Sequence, residues 1–356
     1  MKNPIKLIIL LSTVVLLFTS CSKQIRIRAI NPAEVSEMAF KKKIAVSRFA
    51  HDRIGFSGKV EAEIAKQKIN NKRYFTLLSR RDMSKILKEQ KLQSSELMDE
   101  KTSARVGKLI GAQAIISGEV ASANAESSSY YEDREKCIKY TKDSDGNYQC
   151  ARHRYYRVKC DTTQASVGVN VNIVDVETGV VIYGDTINRD YSADSCKDSR
   201  TDFGLISYQG TSVRILSKGQ ALNYLASSIA KSFVYKLTPN YIYFNVKLLD
   251  SLDLDSTSKE NDTLDASLKY IEMGRYKKAK KLLENLMDSF DGKSYVVAYD
   301  YGVVHEAMGD FQTAKELYSL ADDLILEPVD ELNAALTRIE RIIEKNREAS
   351  RQINAK

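Results

Sequence analysis

The side chains that could do chemistry in this 356-residue chain are five cysteines and three histidines. So few histidines leave little room for a histidine-rich metal centre. His51 stands beside Asp52, which could orient it as a general base, but a surface histidine next to a strand is more often structural. His153 lies among arginines, where a solvated basic patch is the simpler interpretation. These residues predict no catalytic site, no metal site and no cofactor.

The short motifs of common enzyme classes are also missing from the sequence. It contains no G-x-S-x-G elbow, no H-E-x-x-H helix and neither of the two common glycine-rich nucleotide loops. The net charge of +7 is mild and spread along the chain, so it does not indicate a nucleic-acid partner. We therefore expect a protein that is not an enzyme and does not bind nucleic acid.

Cys21 offers a different chemistry, because it follows the pattern of a processed leader. Lys2 and Lys6 precede an apolar stretch, 7–18, which is too short to span a bilayer and typical of a signal-peptide core. The stretch runs into L-F-T-S-C, which resembles the bacterial lipobox. The pattern predicts that residues 1–20 are a lipoprotein signal peptide and that the Cys21 thiol carries a diacylglycerol. An ordinary cleaved signal peptide with a chance cysteine is the alternative.

The predicted lipid anchor also predicts a compartment. Ser22 follows the cysteine, whereas an Asp at that position would favour retention in the inner membrane. We therefore expect a protein anchored by its lipid in the outer membrane and facing the periplasm. That compartment is oxidising, so the remaining cysteines are candidates for disulfides.

The four other cysteines are even in number, which suits two disulfides. Residues 164–173 alternate strictly between apolar and polar, the signature of a half-buried strand, and the loop Glu177-Thr178-Gly179 suits a hairpin. Pairing Val176 with Val180 across that loop sets a register in which Cys160 lies opposite Cys196. Cys137 and Cys150 flank a turn-rich centre. We expect these two pairs; a zinc site is the alternative, but no C-x-x-C pair supports it.

Strands and helices alternate in the first half of the chain, which predicts an α/β layer with helices packed on a sheet. We expect a lipidated tether over 21–42 and an α/β (α+β) domain over 43–240. A polar stretch rich in Ser, Asp and Thr, 250–262, predicts a linker. An all-α domain is expected over 263–356.

The last domain contains an internal repeat. The pattern M-G-x-Y-x-x-A recurs as M-G-x-F-x-x-A at an interval close to the period of about 34 residues of tetratricopeptide repeats. Small and aromatic residues at these positions let two antiparallel helices pack closely. The repeat positions are Gly274, Tyr276, Ala279, Gly302, Gly309, Phe311, Ala314, Tyr318 and Ala321. A plain helical hairpin with chance similarity is the alternative.

Tyrosine is unusually frequent, with twenty residues and no tryptophan. Tyrosines cluster at 130–131, at 155–156 and at 241 and 243. Such clusters occur at protein and membrane interfaces, but cross-strand pairs that stabilise a hairpin are the simpler interpretation.

The α/β region resembles the CsgG family, the lipoproteins that include the curli-secretion channel. The resemblance is carried by the segments 44–49, 75–80, 82–92, 104–112 and 117–120. Its most specific residues are Arg80, Glu89, Gln90, Gly107 and Gly111. Gly107 would let a helix lie close to its neighbour, and Gly111 would end that helix.

The resemblance implies an outer-membrane lipoprotein with a periplasmic α/β domain, and a ring-shaped homo-oligomer. The curli channel inserts two β-hairpins per subunit into the membrane, at positions that correspond to 122–165 and 186–212 here. Both segments are charged in this chain, and a Lys or Arg facing lipid at mid-membrane costs about 2–4 kcal/mol. Soluble hairpins pinned by disulfides fit these segments better.

The expected function is that of a non-catalytic, lipid-anchored periplasmic scaffold for envelope assembly or secretion. The lipid attaches it to the membrane, and the helical repeats would bind a protein partner. The alternative is an oligomeric outer-membrane secretion channel of the curli type.

Overall fold

The computed structural model describes residues 23–79, 100–197 and 215–355. The chain forms two compact units. Among the described residues, the α/β unit contains those within Ala33–Thr238 and Gln352–Lys356, and the helical unit contains those within Met1–Pro32 and Pro239–Arg351. A mixed α/β unit and a separate helical region are what the sequence predicted.

The described strands, in chain order, are β1 (Gln24–Asn31), β2 (Lys43–Val46), β3 (Lys68–Ile69), β4 (Lys72–Arg73), β5 (Thr76–Leu77), β6 (Ala114–Lys142), β7 (Tyr148–Asp175), β8 (Val181–Asp194) and β9 (Asn240–Lys247). The described helices are α1 (Ser36–Ala39), α2 (Phe56–Lys66), α3 (Glu100–Ile110), α4 (Lys218–Lys236), α5 (Ser258–Glu272), α6 (Tyr276–Ser289), α7 (Tyr295–Met308), α8 (Phe311–Asp323) and α9 (Asp330–Asn354). None of these helices combines the length and the apolar character that crossing a membrane requires.

A five-stranded sheet organises the α/β unit, in the order β5-β2-β6-β7-β8. β2 runs parallel to β5 and β6, whereas β6, β7 and β8 are antiparallel. Successive side chains of each strand point to opposite faces of the sheet, so helices can cover apolar residues on both faces. Ile44 and Ile116 pack with α2 and α4 on one face, and their neighbours Ala45 and Ile115 pack with α3 on the other.

The pairing of β7 with β8 follows the predicted register along most of its length. Ile173 lies opposite Tyr183, and Thr162 lies opposite Asp194. The hairpin closes differently from the prediction, which paired Val176 with Val180. The Val176 N–H donates to the carbonyl oxygen of Gln113, and the Val180 carbonyl oxygen accepts the N–H of Asp175 instead. An extra residue in β8 between the partners of Ile173 and Val174 then restores the expected register.

β6 and β7 continue together far beyond the sheet. β8 pairs with β7 only from Thr162 inward, so the segment 124–164, here called the arm, is for most of its length a hairpin of two strands. An isolated two-stranded hairpin is marginal in water. Two disulfides pin this one.

The second predicted insertion, 186–212, is different from what was expected. Residues 186–194 belong to β8 and pair with β7 in the main sheet, where Ile187, Tyr191 and Ala193 are partly or fully buried. Residues 198–212 lie outside the described residues.

The helical unit begins with a strand where a tether was expected. β1 pairs antiparallel with β9 over eight residues, from Gln24 opposite Lys247 to Asn31 opposite Asn240. The alternation of Ile25 and Ile27 with arginines explains the strand, since both isoleucines are buried in the core of the helices. The expected linker is likewise shorter, because α5 begins at Ser258.

Candidate functional site

The inner disulfide lies where the arm leaves the sheet. Cys160 of β7 is bonded to Cys196, which follows β8, as the predicted register required. Both cysteines are buried. The guanidinium of Arg134 donates to the carbonyl oxygen of Cys196 at 3.3 Å. The disulfide therefore ties the base of the arm to the segment after β8.

A hydrogen bond from Tyr130 closes the same cluster. Its hydroxyl donates to the Asp194 carboxylate at 2.9 Å, and this bond raises the pKa of Tyr130. Burial by itself raises the pKa of Asp194, but the N–H groups of Cys196 and Lys197 and the Tyr130 hydroxyl outweigh it, so the pKa is lowered. The carboxylate is thus held ionised as a structural acceptor.

One group of side chains in the described residues has the spacing of a metal site. Glu132, Cys160 and Cys196 place one oxygen and two sulfurs within 4.8 Å of one another. The two sulfurs are bonded to each other as a disulfide. Cysteine binds metal as a thiolate, and neither sulfur is a thiolate in this bond. With the disulfide formed, this donor set does not fit a zinc ion.

The outer disulfide lies near the end of the arm. Cys137 is bonded to Cys150, the second predicted pair. Beyond it, an Asp143 oxygen accepts the N–H groups of Asp145 and Asn147 at 3.0 and 2.8 Å, and Gly146 adopts the left-handed conformation. The turn-rich centre predicted from the sequence is this closed turn.

Charged side chains cover both faces of the arm. Fifteen residues of 122–165 are Asp, Glu, Lys or Arg. On one face Asp133 pairs with Arg157 at 3.2 Å and Glu135 contacts His153 at 3.4 Å. Lys136 and Arg154 lie opposite each other on the other face, and both are exposed. Neither face of the outer arm is an apolar surface.

The structure separates His51 from Asp52. Asp52 accepts the N–H groups of Phe56 and Ser57 at 2.6 and 2.9 Å and the Ser57 hydroxyl at 2.7 Å, so its carboxylate serves the start of α2. His51 points toward Glu119, 4.0 Å away. The pair is not arranged as a base and its orienting group.

The two glycines of the resemblance have clear structural roles. A side chain at Gly107 would collide with Val176, since an added Cβ would lie 2.3 Å from it, so α3 approaches the sheet closely. Gly111 has φ +71° immediately after α3. Arg80, Glu89 and Gln90 lie outside the described residues, as does Cys21.

The repeat positions of the helical unit lie at its turns and in its core. Gly274 and Gly309 both adopt left-handed conformations after α5 and α7. An added Cβ at Gly302 would lie 2.6 Å from the Tyr318 ring, so α7 and α8 pack closely there. Tyr276 and Phe311 are partly buried against the core. Fully buried positions are Ala279, Ala314, Tyr318 and Ala321. The assignment as a tetratricopeptide-like repeat stays a prediction.

Sequence analysis missed a buried charge network in this unit. Glu306 of α7 is fully buried and receives two hydrogen bonds from Arg338 of α9, at 2.9 and 2.8 Å. The Tyr318 hydroxyl donates to the same carboxylate at 2.6 Å. Burial and the Glu306 charge both raise the pKa of Tyr318. The sequence contained one signal of this network: Glu306 follows the repeat position Gly302 by four residues and so lies on the same, buried face of the helix.

Two further polar groups of α7 were also missed. Asp300 is fully buried, one of its oxygens accepts the Leu249 N–H at 3.1 Å, and burial raises the pKa of this carboxyl well above its usual range. His305 is buried and contacts Asp310 at 2.9 Å through Nδ1. These contacts hold helices and turns together. They form no nucleophile–base pair.

Comparison with known proteins gives one family match. The family model described as curli production assembly/transport component CsgG matches residues 21–240. No curated protein matches the chain at a significant level.

Solved structures with some likeness to the chain include two bacterial proteins. The PelC dodecamer from Paraburkholderia phytofirmans is 14% identical and covers 60% of this chain and 96% of its own, with a TM-score of 0.25. The hypothetical protein CT253 from Chlamydia trachomatis is 11% identical and covers 55% of this chain and 96% of its own, with a TM-score of 0.26. Likenesses this weak carry no information about function.

Proposed function

The chain belongs to the family of the curli production assembly/transport component CsgG, and on that premise we propose that it is a non-catalytic, lipid-anchored scaffold of the outer membrane. Family membership supports a role in envelope assembly or secretion. The scaffold role adds that Cys21 carries the lipid, that the folded units lie in the periplasm, and that they work through contacts with other proteins.

The observation that carries this proposal is the chemistry of the arm. Charged side chains such as Asp133, Arg157, Lys136 and Arg154 are spread over both faces, so the arm is suited to water on both sides. A strand pair that faced hydrocarbon would need one face of apolar residues. A hairpin pinned by two disulfides, with exposed charges and tyrosines, is suited to protein contacts in an oxidising compartment.

The helical unit supports the same proposal. Pairs of antiparallel helices followed by a long final helix are a common architecture for protein binding, and such surfaces recruit peptides or helices. We propose that a periplasmic protein binds there, through repeats of the tetratricopeptide type.

An oligomeric secretion channel of the curli type is the second candidate, favoured by membership of the family. It would require a homo-oligomeric ring and insertion of the arm into the membrane. Electron microscopy of the purified lipoprotein, together with ion-conductance recording in planar bilayers, separates the two candidates. The scaffold predicts no central opening and no discrete conductance. Rings with a detergent belt and conductance steps would overturn it.

The anchor is tested separately by replacing Cys21 with Ser. The scaffold proposal expects loss of lipid labelling and release of the variant from the membrane fraction after a high-salt wash. Ser22→Ala is the matched control, since it changes the next residue and leaves the thiol. Retention of the Cys21→Ser variant in the washed membranes would contradict the anchor.

A further inference from the structure

The two-stranded ribbon of β1 and β9 has two faces of opposite character. Ile25, Ile27 and Val246 point inward and are buried against the helices of their unit. The other face is largely exposed and carries Arg26 and Arg28, with Tyr241 and Tyr243 on the opposite strand. We call this surface, Arg26, Arg28, Tyr241 and Tyr243, the ribbon face.

The arginines of the ribbon face lie over its aromatic rings. The Arg26 Cζ is 4.6 Å from the centroid of the Tyr243 ring, and the Arg28 Cζ is 4.6 Å from that of Tyr241. Within the described residues, neither guanidinium is paired with a carboxylate. Two lysines next to the arginines, at the Gln24 end of the ribbon, are neutralised, since Lys23 pairs with Asp265 and Lys247 with Glu331. The unneutralised charge of the ribbon is therefore that of its arginines.

The ribbon face lies close in sequence to the predicted lipid anchor. Only Ser22 and Lys23 separate Cys21 from Gln24, the first residue of β1. Three residue steps of fully extended chain span at most about 10–11 Å. An acyl-bearing Cys21 in the membrane would thus hold the start of β1 within about that distance of the lipid surface.

We propose that the ribbon face rests on the headgroups of an anionic phospholipid surface. The inference rests on the lipid anchor of the proposed function. Tyrosine is enriched at the boundary of water and membrane, because its ring is apolar and its hydroxyl is polar. Arginines near an anionic leaflet are attracted to it, and a second membrane contact strengthens an anchor that depends on acyl chains. The ribbon face thus orients the helical unit on the membrane.

The first test uses a chain without its lipid, so that binding to vesicles cannot come from acyl chains. The protein has no tryptophan, so Tyr243→Trp provides a single fluorescent reporter in the chain from residue 21 onward with Cys21→Ser, which lacks the apolar leader as well as the lipid. We expect its emission to shift to the blue with vesicles of phosphatidylglycerol and phosphatidylcholine, and to be quenched by brominated lipids. Tyr270→Trp is the control, since Tyr270 is stacked with Arg275 at 4.8 Å elsewhere in the helical unit. Absence of quenching in the Tyr243→Trp chain, or equal quenching of the two reporters, overturns the proposal.

The second test measures the contribution of the arginines. Arg26→Gln with Arg28→Gln is expected to lower partitioning onto the anionic vesicles by about 10- to 30-fold, from about 1 kcal/mol for each cation near the surface. Arg275→Gln with Lys277→Gln removes the same charge from another exposed part of the unit and should have little effect. Equal losses in the two double variants would mean general electrostatic attraction and would overturn the proposal. Equal binding to vesicles of phosphatidylcholine alone would do the same.

The lipidated chain separates this proposal from the anchor. If the chain that carries lipid on Cys21 binds vesicles but its Tyr243→Trp reporter is not quenched by brominated lipids, the anchor stands and the ribbon face proposal is wrong. If Cys21 carries no lipid, the anchor is wrong, and vesicle binding by the unlipidated chain still decides whether the ribbon face binds phospholipid.

Discussion

The arm and the helical unit treat charged side chains in opposite ways. In the arm, charged side chains are exposed on both faces, and exposed ion pairs such as Asp133 with Arg157 contribute little to stability. In the helical unit, Glu306 is fully buried, and Arg338 and Tyr318 satisfy its carboxylate. A buried carboxylate without such partners would be strongly unfavourable.

The difference shows that the two regions are stabilised by different means. Two strands with two exposed faces bury little apolar surface, so the arm depends on its backbone ladder and on two covalent bonds. The helical unit depends on close packing, as at Gly302 against Tyr318, and on a buried network that packing protects from water. The surface of the arm can therefore vary, whereas the interior of the helical unit cannot.

Breaking the buried network should have the largest effect on stability. Arg338→Met leaves the Glu306 carboxylate buried without its cation, and we expect a loss of about 3–5 kcal/mol in the free energy of unfolding. Denaturant unfolding followed by far-ultraviolet circular dichroism measures this loss. Arg341→Met, an exposed arginine of the same helix, is the control and should change stability little. Hydrogen exchange should quicken in the helical unit only; quickening in the arm would undo the contrast between the two regions.

Removing a disulfide should loosen the arm and, for the inner bond, also the segment after β8 that contains Cys196. The Cys160–Cys196 bond closes a separation of 36 residues and the Cys137–Cys150 bond one of 13. By the loop-entropy argument, Cys160→Ser with Cys196→Ser should cost about 4 kcal/mol, and Cys137→Ser with Cys150→Ser about 3 kcal/mol. Hydrogen exchange of the arm amides measures the order of the two effects. Unchanged exchange in the first double variant would show that the ladder suffices without the inner bond.

The smallest effect concerns the pH dependence of the helical unit. Burial raises the pKa of Asp300 in the folded state, so the folded chain holds a proton that the unfolded chain releases above a pKa of about 3.9. Stability is therefore lost as the pH rises from this value toward the folded pKa. Asp300→Asn should remove that loss, making the variant more stable than the native chain at pH 7 and no more stable near pH 3 in denaturant titrations. Asp322→Asn, at an exposed position, is the control. Parallel pH profiles of Asp300→Asn and the native chain would contradict this account.

Local patterns were enough to predict the α/β sheet and both disulfides. Strict alternation over 164–173 fixes which residues face the core, and a register shift of one would reverse them. The wrong prediction that Val176 pairs with Val180 therefore did not change the predicted pairing of Cys160 with Cys196. Val176 pairs elsewhere, but the extra residue in β8 returns Cys196 to its place near Cys160.

The ribbon was missed, although β1 alternates as clearly as β7. Its partner β9 lies more than two hundred residues later, and nothing local indicates that the two strands meet. An unpaired strand after a lipobox has the composition of a basic tether. The pairing with β9 and the packing on the helices make it a strand.

The residue order alone therefore determined the elements whose partners are close in sequence. These are the hairpin of β7 and β8 with the Cys160–Cys196 pair that it aligns, the Cys137–Cys150 pair across the turn of the arm, and the helical hairpins with turns at Gly274 and Gly309. Only the tertiary structure decided which distant segments meet, as in β1 with β9 and Glu306 with Arg338. The physical reason is that alternation and turn residues constrain neighbours along the chain. Burial of a charge or of a second strand depends on what the rest of the fold brings against it.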